Sequence, residues 1–102
     1  MKLIFTDEFI SEYQKWLESQ KSVAKKIDKL IESIKQNPFT GIGKPEPLRK
    51  KHDNWWSRRI TKKDRLVYSV DESYQACMTE NAIFSVPDEI EIILISCKGH
   101  YE

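Results

Sequence analysis

Glycine, proline and cysteine are all scarce in this 102-residue chain, with three, four and two copies respectively. So little glycine and proline excludes a collagen-like or low-complexity polypeptide, and an 11% aromatic content argues against disorder. Cys77 and Cys97 allow one disulfide at most, and nothing suggests export, so reduced thiols are expected. Long apolar runs are missing as well. The longest aliphatic stretch, Ile92 to Ile95, is far too short to cross a bilayer, and the apolar start Met1–Phe5 meets Asp7 and Glu8 at once, unlike a secretory signal. A soluble, cytoplasmic protein is expected, with no membrane partner. The length suits one domain, residues 1–102, and excludes a barrel enzyme with a deep cleft, so an active site should lie shallow on a sheet face.

Metal-ligand spacing is also lacking. Cys97 and His100 form a Cys-x-x-His pair, but a site would need Cys77 and His52 to converge on it without the paired spacing of structural zinc. No metal or other cofactor is expected.

The net charge of +1 conceals a strong asymmetry. Residues 44–65 carry nine Lys and Arg against three acids, whereas residues 66–102 carry one Lys against seven acids. A basic centre beside an acidic tail fits a polyanion site in the first part, although charge runs in small domains commonly serve only to solubilise a face.

Apolar spacing organises the chain. Lys2 to Phe5 reads as a strand, and Thr6 or Asp7 can cap a helix carrying Phe9, Ile10, Tyr13, Trp16 and Leu17. Ser19 to Ser22 interrupts the pattern. A second helix follows with Val23, Ile27, Leu30, Ile31 and Ile34 on one stripe, ending at Asn37-Pro38. Residues 38–54 read as a loop region. From Trp55 the period is two: Trp55–Thr61 and Arg65–Asp71 are predicted strands joined by the turn 61–64. Glu89–Cys97 is predicted as a final, central strand covered on both faces. Gln75–Thr79 and Ala82–Val86 could form an extra hairpin in the acidic segment 72–88. The fold class is α+β: a strand and helical hairpin packed on a small, largely antiparallel sheet, with Trp56, Ile60, Leu66, Tyr68 and Val70 facing the helices.

Three places could carry chemistry. In Lys44-Pro45-Glu46-Pro47-Leu48, flanking prolines bias Lys44 and Glu46 toward extended backbone, so Glu46 is either a local charge neutraliser or a positioned general base. Arg59 and Arg65 can share the open sheet face, where a guanidinium fork would suit phosphate or simple cross-strand pairing. At the C-terminal end, His100 suits proton donation near neutrality and Tyr101 offers a ring for base stacking. A base, a fixed cation and an acid are what metal-free RNA cleavage by 2′-hydroxyl attack requires. Lys44, Arg49, Lys50, Lys51, Arg58 and Arg59 are candidate RNA-phosphate contacts.

The motifs Asn37-Pro38-Phe39, Gly41-x-Gly43-Lys44-Pro45-Glu46-Pro47-Leu48, Trp56-Ser57-Arg58-Arg59-Ile60, Arg65-Leu66-Val67-Tyr68 and His100-Tyr101 occur in linked order. In these the chain resembles the YoeB group of RelE-like toxins from bacterial toxin–antitoxin pairs. The resemblance implies a RelE-like fold and a ribosome-dependent endoribonuclease that cuts mRNA in the decoding site. It implies a cognate YefM/Phd-like antitoxin with a disordered C-terminal segment, and a tendency to homodimerise. By motif, Glu46 matches the general base, Arg65 the phosphate-stabilising arginine, His100 the general acid and Tyr101 the tyrosine used in activity. Lys44 and Arg59 match accessory basic positions. The chain departs from the group in the longer acidic segment 72–88, in Lys63 where an acid is common, and in the additional Glu102. A ParE-like gyrase inhibitor and a non-catalytic RNA- or ribosome-binding module are the alternative readings.

Overall fold

Thr6 joins the first strand to the first helix. In the computed structural model, which describes residues 1–48, 54–71 and 90–99, β1 (Lys2–Phe5) runs straight into α1 (Asp7–Ser19). The Thr6 hydroxyl accepts the Phe9 N–H at 3.0 Å, satisfying one of the orphan donors of the first turn, and donates to the Ile95 carbonyl at 2.7 Å. Asp7 and Glu8 in that turn complement the positive helix end. The interruption between the helices shrinks to one residue, Gln20, whose N–H returns to the Trp16 carbonyl. Helix α2 (Lys21–Gln36) buries Val23, Ala24, Ile27, Leu30 and Ile34. Extended backbone at Asn37, required before Pro38, then ends it, and the Asn37 side chain accepts the Phe39 N–H at 2.9 Å.

Among the described residues four further strands join the sheet: β2 (Glu46–Pro47), β3 (Trp55–Arg59), β4 (Arg65–Val70) and β5 (Glu91–Ser96), in the order β1-β5-β4-β3-β2. Of their pairings only β1–β5 is parallel. The architecture is therefore the expected α+β arrangement, with the helical hairpin packed on one sheet face. Ile60, Leu66, Tyr68 and Val70 join Ile92 and Leu94 against Phe9, Trp16, Ile27, Leu30 and Ile34, and Trp56 packs at the margin. Burial of each such large side chain contributes about 1.5–3 kcal/mol.

The structure corrects two expectations and adds one feature. The strand buried along both faces is β4, not β5: Leu66 through Val70 are all buried, whereas Ile93 and Ile95 in β5 are half-exposed. Four consecutive aliphatics in β5 record hydropathy, but cover is decided by position, and β4 is the middle strand of five. The short β2 lies inside what read as loop. A register shift between β4 and β5 at Val67/Tyr68 was also not legible. The proposed hairpin within 72–88, Cys77 and His52 lie outside the described residues.

The end of β5 is fastened to α1. Trp16 Nε1 donates to the Cys97 carbonyl at 2.8 Å, and Glu12 Oε1 accepts the Cys97 N–H at 2.8 Å. Burial, reinforced by the Glu12 charge, pushes the Cys97 thiol up to about 12, so almost no reactive thiolate forms at neutral pH. Glu12 itself is raised, chiefly by burial; the Cys97 N–H opposes that shift and Glu8 adds to it. A carboxyl raised on folding binds its proton more tightly in the folded chain, so its contribution is fully present below the ordinary carboxylate range and is lost as pH rises through the folded value. Glu12→Gln keeps the acceptor and removes the charge. The substituted chain is expected to melt higher than wild type at pH 7, with the gain shrinking as pH falls through the raised folded value and gone once pH lies below the ordinary carboxylate range. Thermal melts across that range check the sign.

Candidate active site on the open sheet face

Arg58 has no exposed surface. Its five N–H donors all find oxygen: Nε donates to the Tyr68 hydroxyl at 3.1 Å, one terminal nitrogen to Ser33 Oγ at 2.7 Å and the Ile42 carbonyl at 3.1 Å, and the other to the carbonyls of Asn37 at 2.8 Å and Thr40 at 2.9 Å. The Tyr68 hydroxyl in turn donates to the Pro38 carbonyl at 2.6 Å. Burial raises the Tyr68 phenol despite the adjacent guanidinium. The loop 37–42 is thus folded around a cation by its own carbonyls. Arg58 is consequently removed from the candidate RNA contacts: alternation along β3 turns it inward, and no fork donor is left for phosphate.

The same loop sets the approach to Glu46. Gly41 has φ +119°, and a Cβ there would lie 2.2 Å from Ser33 Oγ; Gly43 has φ +82°, and a Cβ would lie 2.6 Å from a Leu30 methyl. Only glycine combines those dihedrals with that crowding. The Gly43 carbonyl accepts the Arg59 N–H at 2.7 Å, which fastens the loop to β3. Lys44 follows with φ +51°, left-handed rather than extended. Here the preference that Pro45 imposes loses to the need to turn the chain from the Arg58 loop into β2. A non-glycine residue in that region carries about 1–2 kcal/mol of strain.

Register then assembles the site. Glu46 pairs with Ser57, and Arg59 pairs directly with Arg65, so Glu46, Arg59 and Arg65 occupy the face away from the helices. Arg65 Nη1 lies 4.0 Å from Glu46 Oε2, with the arginine side chain 19% exposed and the glutamate 60% exposed. An open pair at that distance contributes little, roughly 0–1 kcal/mol, so the carboxylate is steadied rather than consumed by the arginine. Two arginines directly opposite repel each other, which leaves a place where an anion is stabilised. Lys44 and Arg59 are exposed at the rim.

The far wall comes from the turn before β4. Thr61 Oγ1 donates to Asp64 Oδ2 at 2.8 Å and accepts the Asp64 N–H at 3.0 Å. Asp64 Oδ1 accepts the Gly99 N–H at 2.9 Å, and the Gly99 carbonyl accepts the Arg65 N–H at 2.9 Å. The last described residue therefore sits against the backbone of Arg65. Sequence reasoning passed over Asp64, although the Thr-x-x-Asp spacing that closes such turns was available to find it. His100, Tyr101, Arg49, Lys50 and Lys51 lie outside the described residues; Glu46, Arg59 and Arg65 are brought together.

Comparison with known proteins agrees with this architecture. The family of YoeB-like toxins of bacterial type II toxin–antitoxin systems matches residues 5–101. The toxin YoeB of Escherichia coli K12 is 37% identical over 101 residues, covering 99% of this chain and all of that protein. The structure of a YoeB/ParE toxin from Agrobacterium tumefaciens superposes with a TM-score of 0.79 at 34% identity, covering 99% of this chain and 100% of that one. YoeB of Staphylococcus aureus is 32% identical and has been solved as a dimer, with a TM-score of 0.76, and in a heterotetrameric complex with the antitoxin YefM, with a TM-score of 0.72; each covers 99% of this chain and 98% of that one.

Because five acceptors converge on Arg58, truncating it leaves several of them dry. Arg58→Ala is expected to cost about 3–5 kcal/mol, a large fraction of a small domain's stability. Arg58→Lys should recover only part of this, since an ammonium has three donors and no planar fork. Urea unfolding midpoints measure both.

Proposed function

Since the chain belongs to the YoeB-like toxins of bacterial type II toxin–antitoxin systems, we propose that it is a ribosome-dependent endoribonuclease that cleaves mRNA by metal-free acid–base chemistry. The observation that carries the proposal is the Glu46–Arg65 pair on the open face, with Arg59 beside it. In this reading the Glu46 carboxylate takes the proton of an RNA 2′-hydroxyl, and the freed oxygen attacks the adjacent phosphorus. Arg65 offsets the charge that gathers on the phosphorane oxygens, where fixed donors act most strongly. The bond to the 5′-oxygen breaks, protonated His100 supplies that oxygen's proton, and a cyclic phosphate and a 5′-hydroxyl result. Tyr101 stacks on a base. Lys44, Arg49, Lys50, Lys51 and Arg59 attract phosphates without sequence preference.

The exposed carboxylate favours catalysis over a purely structural ion pair, because a base must meet its proton. On ribosomes programmed with mRNA, His100→Gln and Glu46→Gln are each expected to lower single-turnover cleavage by roughly a hundredfold or more at unchanged ribosome affinity. Arg65→Ala should lose both rate and affinity. Wild-type rates in both His100→Gln and Glu46→Gln would sink the mechanism, and gyrase-linked DNA breaks without RNA cleavage would favour a ParE-like activity.

A toxin of this family needs an inhibitor, and the helical hairpin offers a seat. Phe5, Phe9, Ile10, Tyr13 and Ile31 line an apolar groove of about 230 Å³, closed on one side by Asp28, which accepts the Tyr13 hydroxyl at 2.7 Å. Phe5 and Ile10 are 40% and 48% exposed there. In our reading the antitoxin's C-terminal segment folds along this groove and continues toward the basic strands. Ile10→Asp is expected to weaken antitoxin binding about tenfold or more while leaving ribosomal cleavage unchanged. Titration with the purified antitoxin measures the first effect, and the cleavage assay the second.

A further inference from the structure

The carboxylate of Asp64 faces two ways. One oxygen closes the 61–64 turn through Thr61, and the other holds the Gly99 N–H at 2.9 Å. The Gly99 carbonyl is held by the Arg65 N–H, also at 2.9 Å. Both polar groups of one peptide position are therefore fixed by two consecutive residues at the start of β4. Gly99 has φ +88°, and among the described residues a Cβ built there would meet nothing within 4 Å. Crowding therefore does not call for glycine at this position. The left-handed turn does, and that turn presents the N–H to Asp64 and the carbonyl to Arg65 together.

We infer that Asp64 is a positioning residue for the proposed cleavage: it latches Gly99, and so sets the point beside Arg65 from which the terminal segment bearing His100 starts. The inference rests on the nuclease reading, in which His100 supplies the leaving-group proton. Residue 100 is bonded directly to the Gly99 carbonyl carbon, so a rotation at Gly99 is passed whole to its successor. An acid misplaced by about an ångström loses on the order of a hundredfold in rate, since proton transfer requires hydrogen-bond reach. The latch works through geometry alone. Asp64 touches no reacting atom and contributes nothing to phosphate attraction.

Three substitutions separate this from a merely structural role. Asp64→Ala removes the acceptor, Asp64→Asn keeps an oxygen for the Gly99 N–H, and Gly99→Ala leaves the 61–64 turn intact but disfavours φ +88° at residue 99. Two readouts are taken on the full chain: single-turnover cleavage on programmed ribosomes at saturating protein, and amide hydrogen exchange at Gly99 in the free protein. Asp64→Ala and Gly99→Ala are expected to lower the cleavage rate by about ten- to a hundredfold with ribosome affinity unchanged. Asp64→Asn should restore most of the rate. Gly99 exchange should be slow in wild type and Asp64→Asn, and fast in Asp64→Ala. Fast exchange at Gly99 with wild-type cleavage in Asp64→Ala overturns the positioning role. Slow exchange in Asp64→Ala overturns the latch itself. If the wild-type chain cleaves no ribosomal mRNA, the nuclease reading fails and the catalytic role of Asp64 fails with it, while the exchange data still decide whether the latch exists. Should Asp64→Ala not fold, Gly99→Ala carries the rate test, because its new methyl meets no neighbour among the described residues.

Discussion

A guanidinium taken wholly out of water is costly unless every donor finds an acceptor, and in this fold three of the five acceptors are carbonyls of the loop 37–42. Arg58 meets no carboxylate among the described residues; its partners are backbone carbonyls and two hydroxyls. Each carbonyl must point inward, which dictates how residues 37–42 turn. That turn in turn dictates the close passage of Gly41 and Gly43 and the left-handed Lys44. Glu46 reaches its place opposite Ser57 at the end of this sequence of constraints. The buried charge and the exposed carboxylate are two ends of one folded segment.

The site is thus stiff behind and loose in front. Behind the open face, β4 is buried along nearly its whole length and the Arg58 network is fully bonded. In front, Glu46 and Arg65 approach only to 4.0 Å, and Arg59 stands exposed. That division suits chemistry on a large external substrate. Among the described residues the exposed side chains are held loosely, while the backbone that aims them is fixed by interactions set back from the open face.

Much of this was legible in the sequence, and the failures share a cause. Helical spacing revealed both helices and most of their buried stripes, though Ile10 is 48% exposed, and two-residue alternation placed Arg59 with Arg65 and turned Ile60, Leu66 and Tyr68 inward. Alternation also turned Arg58 inward, but its charge drew it into the RNA-binding set, because the carbonyls that satisfy it are contributed by a loop whose shape no local pattern encodes. Lys44 failed in the same way: the local preference before proline was read correctly and was overridden by closure of that loop. The two-residue β2 is too short to show a period. The contribution of Asp64 depends on Gly99, 35 positions away, and no spacing rule links them. The family resemblance carried the candidate roles of Glu46 and Arg65; residue patterns alone left each with an ordinary alternative.

The parallel pairing of β1 with β5 has a consequence for the order in which the molecule can be completed. Thr6 bonds to Ile95 across a separation of 89 residues, and β1 finds its described neighbour only in β5. Closing a contact so distant along the chain costs more entropy than closing a local one, because the loop it completes is nearly the whole polypeptide. During synthesis the first strand and both helices emerge long before the strand that anchors them. The same late segment ends at Gly99 against Arg65, so the far wall of the open face depends on residues that are synthesised last. A nascent chain therefore lacks β5, and the wall that ends it at Gly99, for most of its time on the ribosome that makes it.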